Sequence, residues 1–144
     1  MRAAPSSGTP GHDFSPSEKL VLGTEIVRAY ARARWWLGRT DLPRTVSVLR
    51  AHERSRRARA IDPTIEGMRL GNAVGRTLRH LPFDSRCLMR SLVLTSVLAR
   101  RDIDATLVIA VRSKPRFAAH AWVEHDGVPL LVPAGPPFRR LLEI

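Results

Sequence analysis

The sequence has a single cysteine, and it lacks a long apolar run, a metal-ligand spacing of Cys or His, and a glycine-rich phosphate loop. One cysteine excludes an intrachain disulfide, and a lone free thiol suits a reducing compartment. The first residues carry no apolar segment of the kind a signal peptide needs, so we expect a cytoplasmic protein. No stretch has the length and apolarity needed to cross a bilayer, so we expect no membrane insertion. The sequence also predicts no metal and no cofactor.

Positive charge dominates the composition, with 24 Lys and Arg against 13 Asp and Glu and a net charge of +11. Such a charge favours acidic partners, whether nucleic acid, anionic membrane or acidic peptide, without choosing among them. Arginines are concentrated between His52 and Arg59, where no aromatic side chain is available to stack on bases. We therefore expect a solvated helix face, or a surface that attracts an acidic peptide, rather than nucleic-acid binding.

The length of 144 residues predicts one domain. Residues 1–15 are rich in Pro, Gly and Ser and are predicted to form a disordered tail. The single domain then covers 16–144, with a helical part over about 16–81 and a helix followed by a sheet over about 82–144.

Four helices are predicted, over about 16–37, 42–59, 62–81 and 85–101. Ser15, Pro16 and Glu18 form a start signal for the first helix, and Gly38 ends it. The expected core positions of this helix are Leu20, Val21, Ile26, Val27, Tyr30 and Trp35. Those of the third helix are Ile65, Met68, Leu70, Val74 and Leu78.

Three strands are predicted after the helices, over 105–111, 117–125 and 128–132. Asp126 and Gly127 form a two-residue hairpin signal between the second and third strands. Helices followed by an antiparallel sheet indicate the α+β class.

Cys87 is predicted about three residues into the fourth helix, after a cap at Asp84 or Ser85. Unpaired backbone N–H groups and the helix dipole favour a thiolate at such a place, and the same N–H groups can bind an oxyanion. The alternative interpretation is that Cys87 is a small buried hydrophobic residue.

His120 lies within the second strand, where alternation places His120, Trp122 and Glu124 on one face. A cysteine at a helix start and a histidine on a strand can form a nucleophile–base pair held by two rigid elements. Taken alone, His120 is better explained as a core histidine that has satisfied its hydrogen bonds. Trp122 and Phe117 flank it and could shield the pair, line a substrate groove or simply pack in the sheet.

The segments 86–92, 98–103, 105–111 and 117–127, with Arg86-Cys87-Leu88 and His120-Ala121-Trp122 at their centres, resemble the leader peptidases of lasso-peptide biosynthesis. The resemblance is to the stand-alone protease half found where the maturation B protein is split into two chains. It covers about residues 80–130 and implies a transglutaminase-like, papain-related fold, with Cys87 as nucleophile and His120 as base. It further implies a precursor peptide as substrate, and a leader-binding protein and an ATP-dependent macrolactam cyclase as partners.

The family's acidic third member would lie about a dozen residues after His120, where this sequence has Leu131 to Pro133. Asp126 and Glu143 are weak candidates to replace it, and a backbone carbonyl near Pro133 is the expected substitute. Two other functions remain open from the residues alone. One is acyl transfer to an amine by the same Cys–His pair, and the other is a basic nucleic-acid-binding module with a structural cysteine.

Overall fold

The computed structural model describes residues 14–51, 62–82, 86–130 and 137–144. Four helices precede a sheet, which confirms the predicted α+β class. The helices are α1 (Pro16–Leu37), α2 (Leu42–Ala51), α3 (Pro63–His80) and α4 (Cys87–Ala99). The strands are β1 (Thr106–Arg112), β2 (Ala118–His125), β3 (Val128–Pro129) and β4 (Arg139–Glu143). None of the described helices is long and apolar enough to cross a membrane.

The first helix begins and ends where the sequence predicts. The Ser15 side chain accepts a hydrogen bond from the Glu18 amide, and the Glu18 carboxylate accepts one from the Ser15 amide. This reciprocal pair satisfies two amide donors that the helix itself leaves unpaired. Phe14 packs against the core, so packing begins within the segment 1–15 assigned to the tail, of which residues 1–13 lie outside the described part.

The buried side of α1 differs from the prediction. Ile26 and Tyr30 are buried as expected, but Leu20, Val21, Val27 and Trp35 are exposed. The side that packs inward carries two alanines and one carboxylate among larger apolar residues, namely Leu22, Glu25, Ile26, Ala29, Tyr30 and Ala33. The alanines allow neighbouring helices to approach α1 closely. The side of α1 that is buried is therefore not its most hydrophobic side.

In α3, Leu70, Val74 and Leu78 are buried as predicted, whereas Ile65 and Met68 are exposed. The inward side near the helix start is made by Gly67 and Gly71. A Cβ atom on Gly67 would lie 2.7 Å from Leu130 Cδ1, so the missing side chain lets α3 approach the end of the hairpin.

The central helix is α4, which packs against all three other helices and against β1 and β2. Every residue from Ser91 to Leu98 is buried, because this helix is surrounded on all sides. Residues 52–61 lie outside the described part, and so does the C-terminal half of the predicted second helix with its arginines.

The described sheet is antiparallel with the order β3-β2-β1-β4. Asp126 and Gly127 both have positive φ, at 48° and 77°, as a two-residue hairpin turn requires, and His125 pairs with Val128 as expected. The third strand is shorter than predicted, and residues 131–136, including Pro133, lie outside the described part.

The strand β4 is a feature that the sequence analysis missed. Its sequence, Arg-Arg-Leu-Leu-Glu, has no alternating pattern, and all five residues are exposed. Pairing with β1 decides its conformation, since strand preference depends strongly on tertiary context.

The two faces of the sheet are covered differently. Leu107, Ala121 and Val123 face the helices and belong to the main core. Val108, Ala110 and Trp122 form a second, smaller cluster, against which Phe138 packs. This second cluster, which we call the outer cluster, lies on the face turned away from α4 because its residues alternate with those of the main core.

Candidate active site

Cys87 is the first residue of α4, not the third as the sequence analysis expected. Arg86 is the N-cap, and its side chain makes no capping hydrogen bond. The predicted caps, Asp84 and Ser85, lie outside the described residues. Because the first turn of a helix has no internal acceptors for its amides, the backbone N–H groups nearest the thiol remain available to an anion. Cys87 itself is half-buried and packs against the main core.

His120 lies near the start of β2, directly opposite Ala110 of β1. Ala110 belongs to the outer cluster, so His120 also lies on that face of the sheet. Its imidazole stacks on Trp122 with ring centroids 6.0 Å apart and tilts against Phe138 at 5.5 Å. The alternation that the sequence predicts for His120 and Trp122 is therefore present.

The two residues lie on elements that contact each other, since α4 packs across β2. No hydrogen bond joins Cys87 to His120 within the described residues. Their side chains pack in different clusters, Cys87 against the main core and His120 beside the outer cluster. The described structure therefore does not bring Cys87 and His120 into contact.

Partial burial lowers the pKa of His120 below its ordinary value of 6.5. Removal of the ring from water disfavours its charged form. A neutral imidazole near neutral pH can accept a proton, which is what a general base must do.

Neither carboxylate that the sequence analysis considered as a third member contacts His120. Asp126 is 88% exposed on its hairpin turn and lies 3.5 Å from Nε2 of His125. Glu143 accepts a hydrogen bond from Arg140 at 2.9 Å and pairs across the sheet with Val108. The place proposed for a backbone carbonyl, near Pro133, is outside the described part of the chain.

A buried carboxylate, Glu124, lies beside the outer cluster. Glu124 is only 4% exposed, and its Oε1 accepts a hydrogen bond from Nε1 of Trp122 at 2.7 Å. Arg140 donates to both oxygens of the same carboxylate, at 2.8 Å and 3.0 Å. The alternation of His120, Trp122 and Glu124 pointed to a shared face, but nothing in the local sequence indicated that Arg140 would return to it.

The two aromatic residues that flank His120 occupy different environments. Trp122 is 5% exposed and holds its position by ring stacking and a hydrogen bond. Phe117 is 75% exposed at the start of the strand. Of the two, only Phe117 has the exposed surface that a substrate contact requires.

Within the described ranges, no group of three or more His, Cys, Asp or Glu side chains is placed to hold a metal ion. The described residues supply a thiol at a helix start, an imidazole and a hydrogen-bonded carboxylate.

Comparison with known proteins gives one partial and one extended match. The microcin J25-processing protein McjB of Escherichia coli is 51% identical over 45 residues, which is 31% of this chain and 21% of that protein. No solved structure matches the chain significantly. The model of the transglutaminase-like superfamily matches residues 22–142, which cover α4, β1, β2 and almost all of the described fold. The chain therefore belongs to the transglutaminase-like superfamily.

Proposed function

We propose that this protein is a cysteine peptidase that removes the leader from a ribosomally made lasso-peptide precursor. The observation that carries the proposal is the position of Cys87 as the first residue of the central helix in a transglutaminase-like domain. The similarity to the microcin J25-processing protein supports the substrate class, although the chain covers only about a fifth of that protein.

In the proposed mechanism, Cys87 Sγ attacks the carbonyl carbon of the scissile peptide bond while His120 takes the thiol proton. The amides at the start of α4 stabilise the oxyanion of the tetrahedral intermediate. The C–N bond then breaks, His120 returns the proton to the leaving amine, and a thioester remains on Cys87. Water, deprotonated by His120, hydrolyses the thioester and releases the carboxylate and the thiol.

The contact between Cys87 and His120 forms, in this proposal, when substrate binds. The partners proposed for the reaction are the precursor peptide, a separate leader-binding protein and an ATP-dependent macrolactam cyclase that uses the product. We further propose that the enzyme acts in the cytoplasm.

The test is incubation of the chain with its precursor peptide, with and without the leader-binding protein, in water enriched in ¹⁸O. Peptidase activity gives cleavage at one bond and one ¹⁸O atom in the new carboxylate, read by mass spectrometry. We expect Cys87→Ala to abolish cleavage and to keep the circular dichroism spectrum. Cleavage by a folded Cys87→Ala variant would contradict the mechanism.

Acyl transfer to an amine is the second candidate, because superfamily membership and the same Cys–His pair support it equally. Adding a primary amine to the same reaction distinguishes the two. An amide adduct at the new C-terminus indicates transfer, whereas incorporated ¹⁸O indicates hydrolysis. Labelling with iodoacetamide separates both from a structural cysteine, since a nucleophilic Cys87 reacts below pH 8 and an inert one does not.

A further inference from the structure

Among the described residues, the imidazole of His120 contacts aromatic rings and no carboxylate. Its ring contacts are those with Trp122 and Phe138, and within the described residues no hydrogen bond reaches it. A general base must nevertheless present one nitrogen in a fixed direction, because a displacement of about 1 Å can lower a catalytic rate about 100-fold. The rings that contact His120 therefore determine its orientation.

The more firmly fixed of these rings is Trp122. Packing holds a buried indole in place, and a hydrogen bond from its N–H adds a directional restraint. Here Nε1 donates to Glu124 at 2.7 Å, and Glu124 is in turn held by two hydrogen bonds from Arg140. The plane against which His120 stacks is thus fixed by three strands, since Arg140 of β4 pairs with Ala110 of β1, and Ala110 pairs with His120 of β2.

Burying a carboxylate is costly unless its oxygens are paired. Glu124 is almost fully buried, and its hydrogen bonds go to Trp122 and Arg140. Its position follows from the strand period, because residues 120, 122 and 124 project from the same face. A carboxylate at this place holds the indole at one end, and the indole contacts the base at the other.

We propose that Glu124 is a positioning residue that orients His120 through Trp122, in the role that a carboxylate third member has elsewhere in this family. The proposal rests on the proposed function, because it assumes that His120 is the base. Glu124 acts by geometry and not by charge, since Arg140 offsets its negative charge. The other charged groups around these rings are Arg112, whose guanidinium lies 4.9 Å from the centre of Phe138, and Glu143, which binds Arg140.

Three variants test the proposal, with Glu143→Gln as the matched control. Glu124→Leu removes the acceptor of the Trp122 N–H, and Trp122→Phe keeps a ring but removes the donor. Glu124→Gln keeps an oxygen for Trp122. Glu143→Gln removes a second carboxylate that is bound by Arg140, and it leaves Trp122 unchanged. We expect Glu124→Leu and Trp122→Phe to lower kcat about 100-fold with KM unchanged, since they misplace the base. Glu124→Gln should keep most of the activity, and Glu143→Gln should match wild type.

A second readout does not depend on cleavage. The imidazole resonances of His120 are assigned by their loss in His120→Gln and are then followed by NMR as pH changes. In Glu124→Leu and Trp122→Phe we expect the titration midpoint of His120 to rise towards the ordinary value, because a loosened ring is more hydrated. Glu143→Gln should leave it unchanged.

The two readouts separate the possible failures. Unchanged kcat and unchanged His120 resonances in folded Trp122→Phe and Glu124→Leu would overturn the positioning role. If Glu124→Leu and Trp122→Phe alter the His120 titration while the wild-type protein cleaves no precursor, the positioning of His120 is supported and the peptidase is refuted. Should Glu124→Leu fail to fold, Trp122→Phe alone decides, since it leaves Glu124 paired with Arg140.

Discussion

His120 combines a strand position, contact with two rings and a lowered pKa, and these together predict how activity depends on pH. The neutral ring is the form that accepts a proton. Since burial lowers the pKa below 6.5, the loss of activity on the acidic side should occur below pH 6.5. The measurement is kcat/KM for leader cleavage as a function of pH. A midpoint at or above 6.5 would show that another group limits the reaction.

The same residue links folding stability to pH. With a folded pKa below the unfolded one, the unfolded state binds more protons between the two values, so stability rises with pH there and is lost as pH falls through that window. Replacement of His120 by Gln should remove this dependence just below pH 6.5, as measured by urea unfolding at several pH values. If the free energy of unfolding of His120→Gln depended on pH as it does in wild type, His120 would not be the group that links stability to pH.

Gly67 and Gly75, both in α3, should respond oppositely to substitution by Ala. A Cβ on Gly67 would meet the buried Leu130 side chain at 2.7 Å, whereas nothing lies within 4 Å of one on Gly75. Overpacking costs about 1–3 kcal/mol, which exceeds the roughly 1 kcal/mol gained by replacing a helical glycine with alanine. We expect Gly67→Ala to lower the free energy of unfolding and Gly75→Ala to raise it. If urea unfolding showed that Gly67→Ala raises the free energy of unfolding as Gly75→Ala does, Leu130 would have moved aside freely.

At this scale the sequence indicates the proposed nucleophile and base better than the residues that support them. Cys87 and His120 follow from their places at a helix start and within a strand, which are local patterns. Phe138 and Arg140 come 18 and 20 residues after His120, in a segment without a strand pattern. Their contribution depends on where β4 pairs, and that is decided by tertiary structure.

Among the elements, α1 and α4 are joined by a buried ionic group. The Glu25 carboxylate is 7% exposed, and Arg101 donates to its two oxygens at 2.8 Å and 3.0 Å. Arg100 approaches the same carboxylate at 3.4 Å. This pairing explains why α1 turns a charged residue inward and leaves Leu20 and Val21 in solvent.

Removing Glu25 should therefore destabilise the fold strongly. Breaking one side of a buried ion pair costs about 3–5 kcal/mol. We expect Glu25→Ala to lower the free energy of unfolding by about 3 kcal/mol, because Arg101 retains some exposure. The control is Glu66→Ala, which removes the partly exposed pair with Arg69 and should cost less than about 1 kcal/mol. Urea unfolding of the two variants gives the comparison, and similar losses would show that burial of Glu25 adds nothing.

The elements also show what hydrophobicity alone misses. The predicted bounds of α1 and α3 agree closely with the structure because capping residues mark them. The predicted inward side of α1 was partly wrong because alanines and a paired glutamate fill it. The central position of α4, buried continuously from Ser91 to Leu98, was not predicted from the sequence.

For the whole molecule, the net charge of +11 is the property most open to test. Exposed charges attract an acidic partner at a distance and are screened by salt. We expect added salt to weaken binding of the precursor or its carrier protein and to leave kcat at saturation almost unchanged. Salt titration of binding and of single-turnover cleavage measures both. Tight, salt-sensitive binding to random duplex DNA would instead favour a nucleic-acid-binding protein.

The order of strands determines when this molecule can become complete during its synthesis. The segment 137–144 supplies β4, Phe138 and Arg140, and its backbone closes on β1 through reciprocal hydrogen bonds between Leu107 and Ile144. A chain emerging from the ribosome from its N-terminus can assemble the other three helices around α4 before this segment is available. Cys87 is then already in place, while His120 still lacks one of its two rings and the arginine that fixes Glu124. A nascent chain would therefore carry its thiol before it could activate it.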